Sequence, residues 1–259
     1  MEKATAAAGG VTTFKTSTNF SLAIEMAGRL PSRRTLDIQG TGLIDTVSKK
    51  AQMASVSASV LAVTFPGVPA SPSGAKVSVE IFIMDDWEYI KMTVPGVEPG
   101  WEKVKLPGDW SASANQLLEQ LALLKTTTAV EMLPGENVDG VACYVVKVTP
   151  DIPALFNLFV AKALAQTFAP SGPGQNDALT KINFAKSAKS VSLKYWVDKD
   201  SFMFQKVDAA ITLEGNPEDF DDSPGTFDKM NQQWKLGIKF SDYNKPVNVK
   251  LPAEALQAK

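Results

Sequence analysis

The chain has 259 residues, 44% of them apolar, and a formal net charge of −2 with both signs interspersed. The apolar share supports a sizeable core and excludes a disordered chain, and the balanced charge excludes the concentrated basic face of a nucleic-acid binder. Histidine is absent and cysteine occurs once, so Ser-His-Asp and Cys-His sites, imidazole metal ligands and an internal disulfide are all ruled out.

Met1–Gly10 is rich in small residues and has no hydrophobic signal-peptide core. It reads as part of a flexible tail over residues 1–13, ahead of a single domain over 14–259. Apolar and polar residues then alternate at a period of two, the mark of strands with one buried and one wet face. Asn19–Ala27 is the first clear case, with Phe20, Leu22, Ile24 and Met26 on one face. In Thr35–Asp45, Leu36, Ile38 and Ile44 share a face with Gly40 and Gly42, and glycines inside a strand predict a bend or close backbone approach. Ala54–Ala62 alternates alanine and valine with Ser55, Ser57 and Ser59, small side chains that leave room beside the strand. The proline-rich loop Pro66–Gly74 ends it.

Val77, Val79, Ile81 and Ile83 form the next strand, Asp85-Asp86 a turn, and Trp87–Val94 its hairpin partner. Trp101–Leu106 is a short strand closed by Pro107-Gly108. Ser111–Leu124 predicts a helix, with Leu117, Leu118, Leu121 and Leu124 on one side. Ala129–Leu133 and Val141–Thr149 then pair across a turn containing Pro134-Gly135 and Asp139-Gly140.

A second helix starts at Asp151, a good N-cap, with Pro153 in its first turn. Its body to Phe168 includes Leu155, Phe156, Leu158, Phe159, Val160 and Leu164, with few polar residues. A surface helix carries an apolar stripe of about 100°; this one is far wider, so it covers something apolar besides the sheet or is buried on several sides. Val191–Val197 and Phe202–Leu213 form another hairpin across Asp198–Ser201, Gly215–Met230 is an acidic loop, and Trp234–Phe240 and Val247–Leu251 close the sheet. About eleven strands and two helices result, with no fixed-period repeat.

Candidate chemistry is sparse. Asp85-Asp86 and the Asp198/Asp200 pair sit in tight turns, where aspartate is favoured by local backbone hydrogen bonds. Glu218–Asp222 lacks the ligand spacing and glycine of a calcium loop and reads as a solvated loop. Cys143, inside the apolar run Val141–Val148, reads as a buried small residue rather than a reactive thiol. Phosphate-loop and dinucleotide spacings are missing, and no apolar stretch is long enough for a membrane-spanning helix. A transmembrane β-barrel is disfavoured by the two intervening helices. No metal, cofactor or catalytic residue is called for.

Several local signals together resemble a known family. They are the hairpin Val79–Val94 ("VEIFIMDDWEYIKM", followed by Trp101-Glu102-Lys103), the strand "GVACYVVKVTP" running from Gly140 to Pro150 into a helix, the hairpin "YWVDKDSFMFQKV" at Tyr195–Val207, and the ending "IKFSDYNKPVNVKLP" at Ile238–Pro252. Over roughly Phe14 to Pro252 their order resembles the LolA-like lipoprotein-carrier fold, and more nearly the LppX/LprG type of bacterial lipoprotein. The resemblance implies a mainly β (α+β) fold: a curved antiparallel half-barrel of about eleven strands, covered by two helices that enclose a hydrophobic cavity for acyl chains. It also implies a place outside the cytoplasm in the cell envelope, with an export signal and a lipidated N-terminal cysteine in native members. The small-residue stretch before Phe14 would then serve as a tether.

The expectation is a non-enzymatic, monomeric carrier or binder of lipids or lipoprotein acyl chains, with no cofactor and no nucleic-acid partner. Leu155, Phe156, Phe159, Leu164 and Phe168 of the second helix, Leu117, Leu121 and Leu124 of the first, and Ile81, Val79 and Ile24 of the sheet are expected to line the cavity. The alternative is a cell-envelope binding or scaffold module with a filled core and no lipid cargo. A carboxylate hydrolase using Asp85 and Asp86 is a distant third.

Overall fold

The computed structural model describes residues 2–28, 31–63, 73–106, 127–151, 187–220 and 227–258. Its strands are β1 (Thr13–Ala27), β2 (Ser32–Asp45), β3 (Lys50–Val63), β4 (Ser73–Met84), β5 (Trp87–Thr93), β6 (Trp101–Lys105), β7 (Thr127–Val138), β8 (Val141–Pro150), β9 (Ala188–Asp198), β10 (Phe204–Gly215) and β11 (Lys229–Ser241). All eleven belong to one antiparallel sheet in the order β6-β5-β4-β3-β2-β1-β11-β10-β9-β8-β7. β1 is thus a central strand, paired with β2 on one side and with the last strand, β11, on the other. The sheet is open, with β6 and β7 at its two ends.

The two expected helices, 111–124 and 151–168, fall on residues outside those described, apart from the cap Asp151. Among the described residues the helical elements are α1 (Glu2–Gly9) and two short 3-10 turns, Pro217–Phe220 and Ala253–Gln257, besides the single helical residue Ser187.

Three readings of the sequence need correcting. The segment read as a tail is helical over Glu2–Gly9, and its Ala4 and Ala8 are buried with Val11 against Phe14, Ile44 and Ala51. Alanine is the best helix former and its methyl lets a backbone pack closely, so a stretch without large apolar residues still docks. Pro134-Gly135 is not a turn: it lies within β7 at a register shift between Leu133 and Glu136, and Asp139-Gly140 alone makes the reversal. Both turn residues have positive φ, 51° and 90°, the geometry of a two-residue type I′ hairpin. Finally, Val247–Leu251 is not a strand. Val249 and Leu251 instead pack with Ala255 against Phe82, Tyr89 and Trp101.

Two further turns are held by aspartate side chains. Asp45 accepts from the backbone N–H of Val47 and Ser48 and from the Ser48 hydroxyl. Asp198 does the same for Asp200 and the Ser201 hydroxyl. These bonds hold both carboxyls below their ordinary values against the opposing effect of burial, which is the largest single influence on each.

Candidate functional site: the apolar face of the sheet

Strand register decides which side chains share a face. One row runs through Met92, Val79, Ser55, Gly40, Thr18, Ile238, Val207, Tyr195, Val146 and Met132, across ten strands from β5 to β7. The next row on that face runs Val77, Ser57, Ile38, Phe20, Leu236, Ala209, Leu193, Val148 and Val130. Leu36, Leu22, Trp234, Ile211 and Val191 continue it. This face is apolar over nearly the full width of the sheet.

The face is packed at its two ends. At the end where β1 begins, α1 covers a cluster containing Phe14, Tyr195, Phe204, Val207 and Phe240, with Lys3 Nζ 4.9 Å from the Phe202 ring centre. At the other end Leu213, Phe227, Met230 and Trp234 form a second cluster, joined by Phe20, Leu22, Ile24 and Met26. Phe20 and Trp234 meet edge-on with ring centres 6.1 Å apart. Between the clusters β2 and β3 contribute Gly40, Gly42, Ser55, Ser57 and Ser59, small side chains interrupted by Ile38 and Leu36 of β2. A Cβ at Gly42 would fall 2.5 Å from Thr16 Oγ1, so only glycine lets that threonine sit across from it.

Of the expected lining residues, the sheet brings Ile24, Val79 and Ile81 to this same face. Ile24 packs in the Trp234 cluster and Ile81 against the Phe14 cluster, while Val79 lies one position beyond Ile81, half-buried. Leu117, Leu121, Leu124, Leu155, Phe156, Phe159, Leu164 and Phe168 lie outside the described residues. Toward its margins the face exposes Val130 (52%), Met132 (61%), Tyr144 (41%), Met92 (47%) and Val104 (47%).

Polar groups on this face were not singled out from sequence. Glu88 is paired with Ile83 and Val104, and burial pushes its carboxyl above the ordinary value. Tyr195 is 1% exposed; its hydroxyl has no hydrogen-bond partner among the described residues, and burial raises its pKa far above that of a free phenol. Gln232 is buried, accepting from Trp234 Nε1 at 3.0 Å. An alternating pattern hides such residues because a polar group at an apolar position looks like a one-residue irregularity. Among the described residues no group of His, Cys, Asp and Glu is arranged to hold a metal ion. Cys143 is fully buried on the opposite face beside Val145 and Trp196, and burial raises its thiol above the ordinary range.

No protein-family model matches the chain, and no curated protein does. Among solved structures it is similar to LprF from Mycobacterium bovis, at 12% identity, 97% of this chain, 94% of that one and a TM-score of 0.43. It is also similar to the lipoprotein LppX of Mycobacterium tuberculosis, at 14% identity, with 96% and 95% covered and a TM-score of 0.42. A putative outer membrane lipoprotein-sorting protein domain from Vibrio parahaemolyticus matches at 8% identity, with 95% and 92% covered and a TM-score of 0.22.

Proposed function

We propose that the protein is a non-enzymatic, extracytoplasmic binder or carrier of lipid-like acyl chains, working as one domain and as a monomer. The observation that carries this reading is the register-defined apolar face, ten strands wide and lined midway by small side chains. This reading assigns the cover to the two helices that the sequence predicts over 111–124 and 151–168. Together with Val79, Ile81 and Ile24 they shelter the hydrocarbon. Each methylene taken from water is worth about 0.8 kcal/mol. A sixteen-carbon chain therefore gains on the order of 10 kcal/mol before the cost of immobilising it, and no charged group is needed.

The test is direct. Solvent extraction and mass spectrometry of the purified protein should release a stoichiometric lipid, and a fluorescent fatty-acyl probe should compete for the same site. Phe159→Asp should weaken the probe by about tenfold or more, a loss of about 1.4 kcal/mol, with the β-sheet circular dichroism unchanged. A bare mass with no probe uptake by the folded wild type would refute the carrier and leave an envelope scaffold with a filled core.

A further inference from the structure

Tyr195 stands on the apolar face in register between Val207 and Val146. Its side chain lies in the cluster of Phe14, Val148, Leu193, Phe204 and Phe240, and the residue is 1% exposed. The hydroxyl at its tip has no hydrogen-bond partner among the described residues. Tyr243, the other tyrosine packed against this cluster, donates to the Phe204 carbonyl at 2.5 Å. The fold satisfies one phenol and leaves the other idle.

A phenylalanine would fill the same space without burying an unmatched oxygen, so the hydroxyl is kept at a cost in stability. A buried water would need two to four polar partners, and the side chains of the surrounding cluster are apolar. An acceptor that arrives with a ligand remains. Its charge is constrained too. Tyr195's own row and the two beside it hold no charged side chain from β4 to β8. Lys3 of α1 is exposed and turned onto the Phe202 ring. A carboxylate placed here loses its hydration with no cation to replace it, whereas an ester carbonyl loses far less. Burial keeps the phenol protonated, so it is available as a donor.

Resting on the acyl-chain reading above, we propose that the Tyr195 hydroxyl donates a hydrogen bond to the carbonyl oxygen of an uncharged acyl ester. This fixes the polar end of the ligand beside β9. From there the row continues through Val207, Ile238, Thr18 and Gly40 to Ser55, five strand spacings or about 24 Å, along which the hydrocarbon lies. α1 meets this end of the face through the methyls of Ala4 and Ala8, a contact shallow enough for the ligand's end to displace.

The test compares three pyrene-tailed probes on the full chain: a hexadecanoyl methyl ester, a hydrocarbon of the same length, and the free acid at pH 8. The wild type should bind the ester about fivefold more tightly than the hydrocarbon, the gain from one hydrogen bond between uncharged groups, and more tightly than the acid. Tyr195→Phe should bind ester and hydrocarbon equally while unfolding at no lower urea concentration. Isotope-edited infrared spectra of a carbonyl-labelled ester should show its stretch lowered in the wild-type complex and not in the variant. Equal binding of ester and hydrocarbon by the wild type, tighter binding of the acid, or an ester preference kept by Tyr195→Phe would overturn the assignment while leaving the carrier standing. Failure of all three probes to bind would remove both.

Discussion

Tyr195 is a polar group placed where a phenylalanine would serve. Its ring packs 5.7 Å from that of Phe204, inside the Phe14 cluster, while its hydroxyl is buried without a partner among the described residues. An unpaired buried hydroxyl costs about 1–3 kcal/mol, so Tyr195→Phe should stabilise the protein by about 1 kcal/mol in urea unfolding; a destabilised variant would refute the orphan assignment. Asp242 shows the reverse. Hydrogen bonds from Lys15 and Lys245, both at 2.7 Å, hold its carboxyl at about 2, below its ordinary 3.8. A depressed folded-state value means the interaction stabilises above about pH 4 and is lost as pH falls toward 2. Asp242→Asn should therefore lower the urea midpoint at neutral pH, and the gap to wild type should close near pH 2.

Hairpins are the elements most legible in sequence. Asp85-Asp86, Asp139-Gly140 and Asp198–Ser201 all reverse the chain where turn chemistry predicts. Nothing lies within 4 Å of a Cβ at Gly140, so its φ of 90° is the sole constraint there. Gly140→Val should cost about 1 kcal/mol from backbone strain alone, read as a lower urea midpoint with an unchanged m-value. Pro134-Gly135 misleads because the same residues mark a turn or a bulge, and only pairing with β8 selects the bulge. The α1 helix was hidden for another reason: an alanine-rich segment has little intrinsic preference for a buried place, and a short helix is marginal until packed. It is held by Ala4 and Ala8 under a cluster assembled from distant strands. Ala8→Asp should release it, seen as faster protease cleavage within the first ten residues while the sheet stays folded.

On the scale of the whole molecule, the order β6 through β1 and β11 through β7 places the first and last long strands side by side at the centre. β1 is paired on both sides over Lys15–Met26, whereas β6 is a five-residue edge. Amide hydrogen exchange should accordingly be slowest in β1 and β11 and fastest in β6; equal protection of β6 and β1 would contradict this order. Because β1 cannot complete its pairing until β11 has been made, closure of the sheet joins residues more than two hundred positions apart.

The positions of the eleven strands, most hairpin positions and the apolar positions on β1, β4 and β11 were set by the sequence alone, because period-two alternation and turn residues are local properties. Which face each strand presents was decided by tertiary pairing. On β3 both sets are small, and only register with Gly40 and Val79 puts Ser55, Ser57 and Ser59 on the apolar side. Pairing likewise brought Ile24, Val79 and Ile81 to one face and gathered Asp37, Lys235 and Lys194 on the other. A face is a relation between strands far apart in the chain, and no stretch of sequence carries it by itself.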